Sequence, residues 1–152
     1  MSSVNQLAEI PQASSMTRYL IFTFGNDFYA INTENIIEIL ENFSFTPIPT
    51  NVEWFLGVGN FHGEVIPIID VKIFQQNGSS LEAKKVIVLQ SLERKGFEMA
   101  MPVDSICEIN SVENFNMVKG SSYIVAESFY KEKRLYLIDV ERLIDQILNK
   151  VK

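Results

Sequence analysis

The chain repeats itself. Trp54 to Phe74 aligns without a gap on Tyr123 to Leu143 at an offset of 69. Ile69-Asp70-Val71 falls on Ile138-Asp139-Val140, and two hairpin-turn signals coincide. A second match lies at nearly the same offset, with Ile36-Ile37-Glu38-Ile39 standing 70 residues ahead of Ile106-Cys107-Glu108-Ile109. Two matches at nearly one offset imply two related half-structures. The 152 residues then make one domain or two small intertwined ones, whose halves are free to exchange strands.

Between the repeats the chain reads as short strands with turn signals. Met1 to Met16 is rich in Ser, Gln and Ala without periodicity and is expected to be a flexible arm, leaving 17–152 as the folded domain. Arg18 to Phe24 and Phe28 to Asn32 flank Gly25-Asn26-Asp27, a hairpin signal. Thr33 to Leu40 places Ile36, Ile39 and Leu40 on one face of a predicted short helix. Phe45 to Ile48 is extended. Leu56 to Phe61 and Glu64 to Ile69 form a second hairpin, and Asp70 is placed to cap a short helix over Val71 to Phe74. A Gly/Ser loop, Gln75 to Ala83, leads to a third hairpin, Lys85 to Ser91 and Gly96 to Met101, turning at Glu93 to Lys95. Ser105 to Asn110 carries no decisive pattern. Ile124 to Tyr130 and Arg134 to Ile138 make a fourth hairpin, and Asp139 caps a final helix over Val140 to Val151, with Leu143, Ile144, Ile147 and Leu148 at helical spacing. Many short strands with little helix predict a mainly β protein, a barrel or a sandwich.

Charge excludes one class of partner. The net charge is −6, and the thirteen Lys and Arg residues are scattered. A nucleic-acid binder needs a basic stripe to displace counterions from phosphates, so no nucleic-acid partner is expected. No apolar run approaches the roughly 20 residues of a membrane span, and the N-terminus lacks a basic region followed by an apolar one. The expected location is cytoplasmic, with no direct membrane insertion. The eleven Phe residues serve either the core or a binding surface, where aromatic rings supply much of the contact energy.

The residue types that do chemistry are sparse. Asp70 and Asp139 each end an apolar strand and open a helix, an N-cap position in both halves. His62 is the only histidine and sits at the Asn60-Phe61-His62-Gly63 turn without a second His or a Cys beside it, so no metal or cofactor is expected. Gly57-Val58-Gly59 lacks the third glycine and the helix of a phosphate loop; Gly57, Gly59 and Gly63 fit tight turns and close strand approach instead. Cys107, the single cysteine, forms no intrachain disulfide and is expected to be an inert core thiol. What remains is a surface: Leu20 on the first strand, with Ile36 and Ile39 on the predicted helix, would either line an apolar groove or pack in the core.

The stretch Gly57-Val-Gly-Asn-Phe-His-Gly-Glu-Val-Ile-Pro-Ile-Ile-Asp70 resembles the G-V-x-N-L-R-G-x-x-x-P-V-x-D signature of the CheW-like family, the adaptors of bacterial chemosensory arrays. Tyr19-Leu-Ile-Phe-Thr-Phe24, Asn35-Ile-Ile-Glu-Ile39, Met101-Pro-Val-Asp-Ser-Ile106 and Leu135-Tyr-Leu-Ile-Asp-Val-Glu-Arg-Leu143 resemble further family segments, in the right order from Thr17 to Lys152. The resemblance implies two intertwined five-stranded SH3-like β-barrels with short helices, a C-terminal helix and a hydrophobic groove between the barrels. It implies a non-enzymatic scaffold that couples the cytoplasmic tip of methyl-accepting chemoreceptors to the regulatory domain of a CheA-type histidine kinase, in arrays beneath the membrane. By the same resemblance, Leu20, Ile36 and Ile39 line the receptor groove, Glu38 is a polar rim contact and His62 a partner contact on its turn. Ile36→Asp is then expected to weaken receptor binding over tenfold without unfolding the protein.

Two positions depart from the family pattern. His62 stands where Arg is usual, and a mostly neutral imidazole does not replace a two-pronged guanidinium. Val125-Ala126-Glu127 stands where a glycine is common, which implies a locally different strand crossing and a specialised system such as pilus or gliding motility. Two other classes remain in view. A small hydrolase would use Asp70, His62 and Asp104. An oligonucleotide-binding barrel would fit the short strands but not the acidic charge.

Overall fold

The computed structural model describes residues 17–49, 52, 54–70, 85–120 and 122–150. The predicted arm at Met1 to Met16, the predicted helix at Val71 to Phe74 and the Gln75–Ala83 loop lie outside them. The described residues form twelve strands and one helix: β1 (Tyr19–Phe24), β2 (Asp27–Asn32), β3 (Ile36–Glu41), β4 (Thr46–Pro47), β5 (Phe55–Phe61), β6 (Glu64–Ile69), β7 (Lys85–Gln90), β8 (Glu98–Val103), β9 (Ser105–Asn110), β10 (Asn116–Met117), β11 (Ile124–Tyr130), β12 (Lys133–Ile138) and α1 (Val140–Lys150).

The strands form two six-stranded sheets of the same plan. Sheet 1 runs β3-β7-β8-β6-β5-β4, and sheet 2 runs β9-β1-β2-β12-β11-β10. The repeat detected in the sequence is therefore structural, and its halves do exchange strands. The first hairpin of the chain, β1–β2, belongs to the sheet built by the second half, where β2 pairs in parallel with β12. Details repeat too. Asp70 N–H donates to Trp54 O at 2.7 Å, and Asp139 N–H donates to Tyr123 O at 2.9 Å. A bulge interrupts β5–β6 between Phe55 and Gly57, and another interrupts β11–β12 between Ile124 and Ala126.

Chain connectivity forces each sheet to curl. The edge strands β3 and β4 are joined by residues 42–45 alone, a link that reaches about 18 Å at full extension. A flat sheet of this width would hold its edges about 24 Å apart. In sheet 2 the link between β9 and β10, residues 111–115, reaches about 22 Å. The sheets are accordingly curled but open, with two-residue edge strands β4 and β10 added to the five longer strands of each barrel-like unit.

Curling explains the near-continuous apolar runs of the central strands, which are covered on both faces. Leu20, Phe22 and Phe24 of β1 point into a large core between the sheets, joined there by Tyr29, Ile31, Ile87, Leu89, Met99 and Met101. The alternate residues point the other way. Ile21, Ala30 and Leu135 fill the hollow of sheet 2, and Phe61, Ile66, Ile68, Val86, Val88 and Ala100 fill that of sheet 1. The helix α1 lays Val140, Leu143, Ile144 and Ile147 on the central core. Asp139 caps it as expected, its Oδ1 accepting from Arg142 N–H at 3.2 Å.

The predicted helix over Thr33 to Leu40 is not formed. Thr33–Asn35 is a single 3-10 turn capped by the Asn32 side chain, which accepts from Glu34 N–H at 2.8 Å. Ile36–Glu41 is then strand β3, paired antiparallel with β7. The spacing of Ile36, Ile39 and Leu40 mimicked a helical face because of a bulge: Ile36 pairs Leu89 and Glu38 pairs Val88, so Ile37 is an extra residue that shifts the alternation. Three isoleucines in four residues favour the extended form.

The glycine-rich signature serves close approach, as expected. A Cβ on Gly57, where φ is +156°, would lie 2.1 Å from the Thr46 carbonyl oxygen of β4. Ala126 holds the equivalent place in sheet 2. Its partner strand keeps the same pairing, Met117 with Ala126 as Pro47 with Gly57, so the expected change of strand crossing does not occur.

Candidate partner-binding surface

Strand β3 is an edge strand, and edge strands offer side chains and backbone to other molecules. Its inward residues are spent on packing: Ile36 is half-buried against the central core and Leu40 against the hollow of sheet 1. Ile37 and Ile39 are 37% and 36% exposed. Between them Glu38 reaches across to the β5–β6 hairpin, where its Oε1 lies 3.2 Å from His62 Nε2. Farther along β3, Glu41 accepts from Lys85 Nζ of β7 at 2.9 Å.

The hairpin turn that presents His62 is firmly shaped. His62 has φ of 51° and Gly63 φ of 86°, both left-handed, as the tightest hairpin turns require. Asn60 Oδ1 accepts from Gly63 N–H at 3.1 Å, which explains the signature asparagine. The His62 ring stands edge-on to Phe61 with centroids 4.2 Å apart. Turn geometry thus aims the imidazole at β3.

Of the five residues expected at the partner surface, the structure leaves three accessible together and packs the other two against the core. Leu20 is 1% exposed inside the central core and lines no groove, because the space between the two sheets is filled by packed side chains. Ile36 packs against that same core and is a support residue. Glu38, Ile39 and His62 remain accessible. Cys107 also differs from expectation: it is exposed, not buried, because it is the bulge residue of β9, the counterpart of Ile37 on β3. Burial of part of its side chain pushes the thiol up, away from a reactive thiolate.

The residues of the hydrolase reading are not assembled. His62 and Asp70 lie beyond opposite ends of β6. Asp104 accepts from Gly25 N–H in the β1–β2 turn. Among the described residues no cluster of His, Cys, Asp and Glu is able to hold a metal ion, and no helix is long and apolar enough to cross a membrane.

Sheet 2 repeats the bridge of sheet 1 with different chemistry. Glu108 on β9 is the counterpart of Glu38, and its Oε2 accepts from the hydroxyl of Tyr130 at the end of β11. That hydrogen bond holds the phenol up at about 12. Phe129, beside Tyr130 on β11, and Met117 of β10 are 67% and 77% exposed, large apolar side chains in solvent that the sequence pattern did not single out.

Two further features were missed by sequence reasoning. Glu141, in the first turn of α1, accepts from Ser91 Oγ at 2.7 Å, Leu92 N–H at 2.7 Å and Asn35 Nδ2 at 3.1 Å. Burial alone would raise its carboxyl, but the donors from Leu92, Ser91, Asn35 and Glu93 outweigh that and hold it below the usual range. Asn35 also donates to Gln90 O at 3.0 Å, so one network ties α1, the β7–β8 turn and the start of β3. The second feature is an apolar cavity of about 220 Å³ between the β5–β6 hairpin and α1, lined in part by Trp54, Phe55, Phe97 and Ile147.

A family model described as CheW-like domain matches residues 18–148. The chain belongs to the CheW-like domain family. Among curated proteins it is similar to chemotaxis protein CheW of Klebsiella aerogenes, 27% identical over 135 residues, covering 83% of this chain and 80% of that one. It is also similar to protein FrzA of Myxococcus xanthus, 29% identical over 69 residues, which spans 45% of this chain and 43% of FrzA. Among solved structures, the scaffolding protein TtCheW of Thermoanaerobacter tengcongensis superposes with a TM-score of 0.68 at 20% identity, over 80% of this chain and 88% of that one. The CheW-like fold expected from the sequence is the fold observed. Proteins of the CheW-like family are non-enzymatic scaffolds, and on family membership the chain is a CheW-type scaffold of chemotaxis signalling.

Proposed function

We propose that this CheW-like protein couples the cytoplasmic tip of methyl-accepting chemoreceptors to the regulatory domain of a CheA-type histidine kinase, in receptor arrays at the cytoplasmic side of the membrane. The observation that carries the reading is the accessible surface of β3, where Ile37 and Ile39 flank the Glu38–His62 contact. An exposed apolar strand bordered by a polar pair is suited to a protein partner, since apolar anchors supply the affinity and the polar rim the register.

A coupler needs a second surface, and the exposed Phe129 of sheet 2 is suited to one. Phe129 and Met117 lie on sheet 2, and β3 on sheet 1. The test is calorimetry of the purified protein against each partner separately, a CheA-type regulatory domain and a receptor-tip fragment from the same genome. Micromolar or tighter binding to both is the expected result, and Phe129→Asp should weaken one of them while Ile39→Asp weakens the other. Binding to neither removes the reading.

A second reading places the same adaptor in a pilus, gliding or other non-flagellar chemosensory system. His62, which departs from the family signature, favours it, and the partial match to FrzA is consistent with it. Deletion of the gene decides between the two: loss of swimming chemotaxis supports the first, and loss of surface motility alone supports the second.

A further inference from the structure

Both sheets are fastened at the same place, where a glutamate on the edge strand meets the tip of a hairpin. In sheet 1 the partners are Glu38 and His62, with Nε2 to Oε1 at 3.2 Å. In sheet 2 they are Glu108 and Tyr130. The two fastenings differ in chemistry. Tyrosine hydroxyls stay protonated throughout the physiological range, and Glu108 holds this one up at about 12. Histidine is the side chain whose charge ordinarily changes between about pH 5 and 8.

We propose that the Glu38–His62 contact is a proton-sensitive clasp, which fastens β3 to the β5–β6 hairpin as the pH falls below neutral and so tunes the partner surface that β3 carries. A neutral imidazole offers Glu38 an ordinary N–H bond. The imidazolium offers a charge-assisted bond, roughly twice as strong. Glu38 faces the ring from β3, and Glu64 of β6 is two residues along the chain. Glu41, the next acid on β3, is paired with Lys85 of β7, so that cation is engaged elsewhere. Strands β4 and β5 contribute no ionisable side chain.

The effect is bounded by exposure. The His62 and Glu38 side chains are 72% and 43% exposed, and exposed pairs of this kind change an equilibrium by about two- to fivefold. That suffices to act locally, because an edge strand opens far more easily than the core. Ile37 and Ile39 ride on the strand that the clasp holds, so partners that read them meet a more ordered surface at lower pH. Order in the free protein lowers the entropic cost of binding. The part of the inference that concerns partners rests on the proposed coupling function; the clasp itself does not.

The experiment is amide hydrogen exchange of the whole protein at about pH 6 and about pH 8, corrected for intrinsic rates, on the wild type, His62→Gln and Glu38→Gln. The expected result is a two- to fivefold smaller opening equilibrium for the β3 amides at the lower pH. Both variants should abolish the difference, and the β9 amides should show none. A wild type without the difference, or a His62→Gln variant that keeps it, overturns the clasp. A parallel arm measures Kd for a receptor-tip fragment at the two pH values. Two- to fivefold tighter binding at the lower pH, lost in His62→Gln, is expected. A clasp seen by exchange with a Kd that does not follow it overturns the tuning of partners. Absence of any binding removes the coupling function and leaves the exchange result to decide the clasp.

Discussion

Glu38 and Glu108 stand 70 residues apart in the chain and in the same place in their two sheets, each with its carboxylate bonded across to a hairpin tip. The same structural task is met by a histidine in one sheet and a tyrosine in the other. Removing the phenol tests what the contact is worth. Tyr130→Phe should lower stability by about 0.5–1.5 kcal/mol, measured by urea denaturation. The sign of the pH effect follows from the raised phenol. Its contribution is complete below about pH 10, the ordinary tyrosine value, and is lost as the pH rises from there through about 12. Wild type and Tyr130→Phe should therefore converge in stability in strong alkali, and a constant gap would show that the bond contributes nothing.

Glu141 should be the carboxylate that matters most to acid stability. Its carboxyl is held below the ordinary range by donors from two segments, the β7–β8 turn and the 3-10 turn before β3, against the opposing effect of burial. A depressed carboxyl contributes stability that is present above the unfolded value, about 4.3, and is lost as the pH falls through the folded value. Glu141→Gln should cost about 2–3 kcal/mol at neutral pH, the worth of hydrogen bonds to a charged group. The gap to wild type should shrink as the solution is acidified below the usual carboxylate range. Denaturation curves at several pH values check it.

Ile36 and Ile39 should separate folding from binding. Ile36 packs against the central core, so Ile36→Asp should destabilise the protein by about 3 kcal/mol or more, through a buried charge without a partner. This reverses the outcome expected when Ile36 was assigned to a groove. Ile39 is 36% exposed, and Ile39→Asp should leave the melting temperature within a few degrees while weakening partner binding over tenfold. Calorimetric melting and titration of both variants give the answer.

Gly57 and Ala126 hold equivalent places but should answer differently to substitution. A Cβ at Gly57 would sit 2.1 Å from a backbone oxygen of β4, so Gly57→Ala should cost about 2 kcal/mol or more in backbone displacement. Ala126→Gly creates no clash and should cost about 1 kcal/mol or less, mostly chain entropy. Equal costs in thermal melts would mean that β4 moves freely away from β5.

The hairpins, the C-terminal helix and the duplication were legible because each has a local signature. Turn residues, alternating apolar residues and the Asp139 cap all act within a few positions of one another. What was not legible depends on a distant partner. The helix expected at Ile36 to Leu40 is a strand because β7 pairs with it through a bulge, and nothing within the segment marks Ile37 as an extra residue. Leu20 looked available for a groove because the opposing sheet that buries it is built mainly from residues far along the chain. Cys107 looked buried among apolar neighbours because the bulge in β9 is likewise invisible locally. Of the surface, the sequence showed the Glu38 and His62 positions through family resemblance alone. The contact between them requires the curl of sheet 1. Glu141 passed as an ordinary first-turn acid, since its donors lie about 50 and 106 positions away.

The exchange of the first hairpin between halves sets an order of events during synthesis. Strand β2 finds its parallel neighbour in β12, and Phe28 pairs with Leu135. Strand β2 must therefore wait for a strand made about 100 residues later. Sheet 1, whose strands are contiguous from β3 to β8, is able to form while the chain is still growing. Sheet 2 is not, and until β12 emerges the β1–β2 hairpin has only β9 and the finished sheet to lean on. Such distant pairing slows folding and prolongs the exposure of sticky edges. A nascent chain stalled before β12 should be the species that chaperones hold.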